Sequence, residues 1–344
     1  MRYTAIALVL ALLVIGQNTR AHDNDGPSSA ERKSTAEHIA AARTALRALP
    51  SENLSKAQQA RTVPRIVNGD PEVETGQWAW TVSVNAAGIT CGGAYLSPHV
   101  IPVKDGYVVQ DWTQSSKMPR WVVTAAHCLV DRSGNRIDNK DISVFGGTLR
   151  ADAERRARHD VEASEVHNDY NSNDFSNDIA LLRISSPVSS TAGAQLRMTS
   201  IRLPRDFEAR WLYKPYTALT VHGWGRTAEG GSLSPYLQKV LLPHVDHKTC
   251  SAAYGSLGET ISPSMICAGF STGGFDSCQG DSGGPLAFIP APGMANPSND
   301  PILAGVVSWG YGCARQNLYG VYTNVLHMRR WLEAAVVKIL AGIH

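Results

Sequence analysis

Three short stretches carry residues that could do covalent chemistry together. Gly280-Asp281-Ser282-Gly283-Gly284-Pro285 sets a serine among glycines. Glycine accepts the positive φ of a tight turn and leaves room for a carbonyl to approach. In such a turn the hydroxyl projects, and the N–H groups of Gly280 and Ser282 can converge as an oxyanion hole. Where one donor of this kind has been removed from an enzyme, the rate fell about 10²–10³-fold. A serine hydroxyl is a poor nucleophile at neutral pH, so it needs an imidazole to take its proton, and the imidazole needs a carboxylate to fix its tautomer. Thr124-Ala125-Ala126-His127-Cys128 offers the histidine, and Asn177-Asp178-Ile179-Ala180-Leu181-Leu182 the aspartate. Singly, His127 could be an ordinary one of eleven histidines, and Asp178 and Ser282 ordinary turn residues. Their joint occurrence points to nucleophilic catalysis.

The chain order His127, Asp178, Ser282 is that of chymotrypsin-type enzymes, not of subtilisins or α/β-hydrolases. On these motifs the sequence resembles the trypsin-like serine endopeptidases, over about residues 66–335. The resemblance implies peptide-bond hydrolysis through an acyl-enzyme, with protein or peptide substrates, protein protease inhibitors as further partners, and no cofactor. It also implies a primary pocket with Asp276 at its floor, beside Ser277 and Gln279. The walls correspond to Ser308-Trp309-Gly310, Gly312 and Gly320, where bulk would stop a long side chain from reaching the carboxylate. A carboxylate in a narrow slot favours Arg or Lys and disfavours apolar side chains, which would leave it unpaired. Phe175, three residues before Asp178, falls where the family narrows the second subsite.

Val63-Pro64-Arg65-Ile66-Val67-Asn68-Gly69 resembles the family's activation site. Cutting after Arg65 would free the Ile66 ammonium to pair with Asp281, whose buried charge would otherwise be costly. No cysteine precedes Ile66, so the pro-segment would not stay tethered by a disulfide. Six cysteines allow fifteen pairings. The resemblance selects Cys91–Cys128, Cys250–Cys267 and Cys278–Cys313.

The positioning elements begin after two N-terminal pieces. Residues 1–21 have a positive start, an apolar run from about Ala5 to Ile15 and small residues before a cut after Ala21, the pattern of an export signal. Residues 22–65 read as a pro-segment. Ser34-Thr35-Ala36-Glu37 has capping-box spacing, and Ile39, Ala42, Leu46 and Leu49 share a helical face before Pro50. A helix of about 15 residues is marginal alone. From Ile66 onward, short β-branched and aromatic runs alternate with turn residues, an all-β pattern. The resemblance sharpens this to two six-stranded antiparallel barrels, 66–205 carrying His127 and Asp178, and 206–344 carrying Ser282. Val325 to Ile343, with Met328, Trp331, Leu332, Ala335 and Val336 on one face, reads as a closing helix.

Nine of the 32 Lys/Arg and five of the 30 Asp/Glu precede Ile66, which leaves 23 against 25, a net charge of −2 for the mature part. That balance argues against nucleic acid as a partner. A basic run, Arg155-Arg156-Ala157-Arg158-His159, reads as a solvated loop. The stretch after Phe145-Gly146-Gly147 lacks the acidic spacing of a calcium loop, and no metal is expected. Two long loops, roughly 102–120 and 289–300, look like surface extensions. The sequence reads as a secreted, monomeric endopeptidase zymogen with no membrane contact once the signal is removed. A catalytically dead binding protein would usually lack one of His127, Asp178 and Ser282. A different cleavage preference is opposed by Asp276, Gly310 and Gly320.

Overall fold

The computed structural model describes residues 70–71, 78–104, 106–112, 120–131, 133–153, 156–185, 198–290 and 300–342. The export signal, the pro-segment and the Arg65–Ile66 bond lie outside these residues. Strand β1 (Asp70–Pro71) is followed by β2 (Thr81–Ala86) and β3 (Ile89–Leu96), the hairpin β4 (Pro98–Val103) and β5 (Gly106–Trp112), then β6 (Trp121–Thr124), β7 (Ile142–Gly146), β8 (Ala157–Val166) and β9 (Ala180–Ile184). The second half carries β10 (Ala218–Gly223), β11 (Gln238–Val245), helix α1 (His247–Gly255), β12 (Met265–Ala268), β13 (Pro285–Phe288), β14 (Ile302–Trp309), β15 (Gly320–Asn324) and helix α2 (Val325–Leu340).

Strands β2-β3-β6-β9-β8-β7 close into one antiparallel barrel. Strands β11-β10-β13-β14-β15-β12 close into a second through the β11–β12 pairing. Two six-stranded barrels and a C-terminal helix are thus present, as expected. Period-two patterning explains the strands: in β2, Val82, Val84 and Ala86 are buried, while Ser83 and Asn85 are half-buried on the outer face. The β2–β3 turn places Ala87 and Gly88 at φ 49° and 86°, the doubly positive geometry of a tight hairpin.

The barrels exchange ends of the chain. Strand β1 pairs with β11 of the second barrel. Helix α2, capped by the Asn324 side chain accepting from His327 N–H, turns Val325, Met328, Leu332, Ala335, Val336 and Ile339 into the first barrel's core. Trp331 is only partly buried, its ring 4.9 Å from that of His167. The segment between the barrels is fixed by a buried pair, Arg202 donating to both Glu208 oxygens at 2.8 and 2.7 Å.

The described part of the first long loop belongs to the hairpin β4–β5, whose second strand lies against α2, and positions 105 and 113–119 lie outside the described residues. Of the second, positions 291–299 lie outside the described residues. The basic run is not a loop throughout: Ala157, Arg158 and His159 open strand β8. His159 is buried, its Nε2 2.8 Å from the Tyr95 hydroxyl. No helix among the described residues is long and apolar enough to cross a membrane.

Candidate active site

His127 sits on a single 3₁₀ turn, Ala126–Cys128, immediately after β6, and the Cys91–Cys128 disulfide ties that turn to β3. Asp178 stands just before β9, with no solvent exposure. Its Oδ2 is 2.7 Å from His127 Nδ1, and its Oδ1 accepts the His127 backbone N–H at 2.9 Å. Two hydroxyls from the second barrel complete its shell. Ser308 Oγ donates to Oδ2 at 2.5 Å, and Thr323 Oγ1 donates to the Asp178 main-chain carbonyl at 2.5 Å. Phe175 and Asn177 both have φ of 56°, left-handed backbone costing of order 1 kcal/mol or more per residue and concentrated at functional sites.

Burial opposes ionisation of Asp178, but the His127 ring, its hydrogen bonds and the Ser308 hydroxyl outweigh burial and hold the carboxyl below its usual range. Burial likewise opposes a charge on His127, yet the Asp178 charge and hydrogen bond prevail and raise the imidazole above its ordinary value. The arrangement fixes Nδ1 as the nitrogen that faces the carboxylate, which leaves Nε2 for a proton arriving from elsewhere.

The Ser282 turn is locked from both sides. The Ser282 carbonyl accepts Gly92 N–H at 2.7 Å. Gly283 has φ +80°, and a Cβ there would fall 2.2 Å from Thr124 Oγ1 and 2.6 Å from the Gly92 carbonyl. Gly280 has φ +96°, and a Cβ there would fall 2.6 Å from the Leu233 side chain. Among the described residues neither the Gly280 nor the Ser282 N–H donates to a backbone acceptor. No hydrogen bond joins the half-buried Ser282 hydroxyl to His127, an interaction of a kind that tightens as substrate binds. Asp281 is fully buried and accepts Gly225 N–H at 2.8 Å and Cys278 N–H at 2.9 Å. Burial still pushes its carboxyl up to about 6.

Asp276 is 6% exposed, on a loop that the Cys278–Cys313 disulfide joins to the segment after Trp309. Its Oδ2 accepts Ala314 N–H at 3.1 Å, and Ser277 Oγ lies 3.5 Å from Oδ1 and 3.3 Å from the Tyr322 hydroxyl. Burial pushes the carboxyl up to about 7, and among the described residues no Lys or Arg forms an ion pair with it. A Cβ at Gly320 would lie 2.8 Å from both Asp276 Oδ1 and the Tyr322 hydroxyl, so bulk there would crowd the pocket floor. At Gly310 a Cβ would meet the Gly312 carbonyl and the Tyr254 hydroxyl at 3.9 Å, ordinary van der Waals contact. Gly312, at φ +75°, packs against Arg315, which is bonded to Glu229 at 2.6 Å. Gln279 is exposed, and its carbonyl accepts Arg226 N–H at 2.7 Å. Phe175 places its ring 5.8 Å from His127, edge to face, and 6.5 Å from Trp309, stacked. The third disulfide, Cys250–Cys267, ties α1 to β12.

Sequence reasoning put Ser308 in the pocket wall, but its hydroxyl is spent on Asp178. Thr323 was not singled out at all, because a buried strand threonine carries no local signal. The Cys91, Cys128 and His127 donor atoms lie within 4.8 Å of one another, but the two sulfurs are bonded to each other and offer no thiolate to a metal. A cavity of about 750 Å³ elsewhere, lined by His99, Gln110, Arg205, Asp206, Phe207 and Arg329, contains none of the candidate site residues.

Comparison with known proteins agrees with this geometry. The family model described as Trypsin matches residues 116–332. Trypsin Blo t 3 of Blomia tropicalis is 35% identical over 279 residues, covering 80% of this chain and 87% of that protein. Anionic trypsin of Canis lupus familiaris is 35% identical over 260 residues, covering 75% of this chain and 84% of that protein. Transmembrane protease serine 11C of Mus musculus is 35% identical over 271 residues, but this chain spans only 53% of its length. Two closed barrels, a part-exposed His127 bonded to buried Asp178 beside a glycine-held Ser282, and trypsins matched over most of their length lead to one assignment: the chain belongs to the trypsin family of serine proteases.

Proposed function

We propose that the protein is an exported serine endopeptidase, made as a zymogen, that hydrolyses peptide bonds after Arg or Lys. His127 Nε2 takes the Ser282 proton as Oγ attacks the scissile carbonyl carbon. The oxygen that becomes negative is met by the N–H groups of Gly280 and Ser282. His127 then delivers the proton to the leaving amine, whose departure leaves the acyl group on Ser282, and water repeats the sequence to release the acid. Asp178 stays ionised throughout and stabilises the imidazolium.

The observation that carries the cleavage preference is Asp276, a buried carboxylate with no Lys or Arg paired to it among the described residues, beside a glycine where a Cβ would crowd its oxygen and the Tyr322 hydroxyl. A substrate guanidinium or ammonium would supply the missing charge. The direct test is a panel of chromogenic peptides varied at the cleaved residue, run on activated protein; comparable kcat/KM for Arg and Phe would refute the preference.

The pH dependence gives a sharper check. His127 must be neutral to accept a proton, so activity is lost as pH falls through its raised pKa. Asp276 must be charged to attract the substrate, and it becomes neutral below about 7. On Arg peptides log kcat/KM should therefore fall with a limiting slope of about two, and on an aromatic ester with a slope of about one. Equal slopes would separate Asp276 from recognition.

Activation is expected at the Arg65–Ile66 bond. Asp281, buried and held at an elevated pKa, is a site that a new ammonium at Ile66 would neutralise. The Arg65 side chain fits the preference inferred from Asp276, so active molecules would cut precursors in trans. Arg65→Gln should leave an inert precursor that added trypsin does not rescue at that bond. N-terminal sequencing of active wild type should read Ile66-Val67-Asn68-Gly69, and any other start overturns the mechanism.

A further inference from the structure

Between β10 and β11 the chain makes a tight loop whose tip lies against the wall of the Asp276 pocket. The loop is closed on itself: Arg226 bridges to Leu233, Gly231 N–H donates to the Ala228 carbonyl at 2.9 Å, and the Arg226 guanidinium donates to the Gly231 carbonyl. Its stem is fixed to the oxyanion turn. Arg226 N–H donates to the Gln279 carbonyl at 2.7 Å, and the Leu233 side chain packs on Gly280.

At the tip stands Glu229. Its carboxylate accepts from Arg315 Nε at 3.2 Å and Nη2 at 2.6 Å, and from the Cys313 backbone N–H. The pair covers Gly312, where a Cβ would fall 2.2 Å from Arg315 Nε and 2.8 Å from Glu229 Oε2. One carboxylate thus holds the residues on both sides of Ala314. That residue matters to the pocket, because its N–H donates to Asp276 Oδ2 at 3.1 Å. With its N–H so aimed, Ala314 sits at φ +59°, left-handed backbone that a residue with a Cβ keeps only where its surroundings hold it. The Cys278–Cys313 disulfide and the Gly274 N–H, which donates to the Ala314 carbonyl at 2.8 Å, fix the same segment to the Asp276 loop.

We propose that Glu229 is a positioning residue for cleavage after Arg or Lys: with Arg315 it forms a clasp that keeps the Ala314 N–H on the Asp276 carboxylate. The inference rests on the Asp276 reading above. It gives an exposed ion pair a use other than stability, to which pairs of this kind add little. Loss of the clasp has two consequences. The wall loosens, so a cationic side chain is bound less tightly while the chemistry at Ser282 is kept. The carboxylate also loses a donor that favours its charged form, so Asp276 stays neutral up to a higher pH. The other ionisable groups in electrostatic reach of Asp276, which are Asp281 and the Tyr254 and Tyr322 hydroxyls, are left as they are.

The test uses full-length activated enzyme, with active sites counted by fluorophosphonate titration, in wild type, Glu229→Gln, Arg315→Gln and the double variant. The quantity read is kcat/KM on an Arg chromogenic peptide relative to an aromatic ester. Each single variant should lower that ratio by about three- to tenfold, through KM, and the double variant should lose little more than either. Charge alone would act differently: removing an acid near the pocket would weaken binding of a cationic substrate, and removing a base would strengthen it. Opposite signs in the two single variants therefore overturn the clasp, as do ratios unmoved in both. In Glu229→Gln the acid limb of the profile on the Arg peptide should move to higher pH, while on the aromatic ester, where His127 alone titrates, it should stay. An unmoved limb on the Arg peptide also overturns the proposal. If Glu229→Gln yields no titratable sites, the ratio and the profile of Arg315→Gln decide it. A wild type that cuts equally after Arg and Phe removes the Asp276 reading and the clasp with it, whereas an intact preference with unmoved variants removes the clasp alone.

Discussion

Ser282→Ala is expected to abolish covalent capture by fluorophosphonates and to lower turnover by roughly 10⁴- to 10⁶-fold, because groups of this kind act as a unit. The mutation removes the attacking oxygen and leaves the Gly92, Gly283 and Thr124 lock around the turn untouched, so the variant should fold and still bind substrate. His127→Ala should be about as damaging, since Oγ keeps its proton without Nε2. The double variant should lose almost nothing more than either single one. Equal labelling of Ser282→Ala and wild type would sink the assignment of Ser282. A multiplicative loss in the double variant would show that the two residues do not act on the same proton.

The second large effect is on specificity. Asp276→Ser should lower kcat/KM on Arg and Lys peptides by roughly two to four orders of magnitude, about 3–5 kcal/mol, while aromatic esters change little. Gly320→Ala should move in the same direction, because its Cβ would lie 2.8 Å from both the Asp276 oxygen and the Tyr322 hydroxyl. Stability should move the other way. A carboxyl whose folded pKa is raised to about 7 disfavours folding once ionised, and the penalty grows as pH rises from the ordinary carboxylate range through that value. Removing it should raise the Tm measured at about pH 8 while leaving the Tm near pH 4 almost unchanged. A uniform drop in activity on Arg and aromatic substrates, or a Tm that falls at about pH 8, would show that Asp276 serves the fold and not the pocket.

Much of this was legible in the chain because glycine-flanked serines, strand periodicity and cysteine pairs are local or patterned features. Two barrels, the closing helix and the three disulfides follow from such signals together with the family resemblance. What escaped are contacts between positions far apart. Thr323 reaches the Asp178 carbonyl across 145 residues, and Ser308 reaches its carboxylate across 130. Leu233 is an unremarkable loop leucine until it lands on Gly280, and strand β1 could not be paired with β11 from its own two residues. The basic run was misplaced for the same reason. Arg158 and His159 alternate out and in on β8, and His159 is drawn inward by Tyr95, which lies 64 positions earlier.

The placement of the Asp178 partners bears on how such a protein is made. A chain emerging from the ribosome contains His127 and Asp178 while Ser282, Ser308 and Thr323 are still unmade. The half-made chain has neither a nucleophile nor the hydroxyls that seat that carboxylate, and it lacks the α2 side chains that fill the first barrel's core. Translation itself therefore delays the assembly of the cutting centre until the last strand, β15, is available. A truncated product ending anywhere before Thr323 would be released without a complete centre.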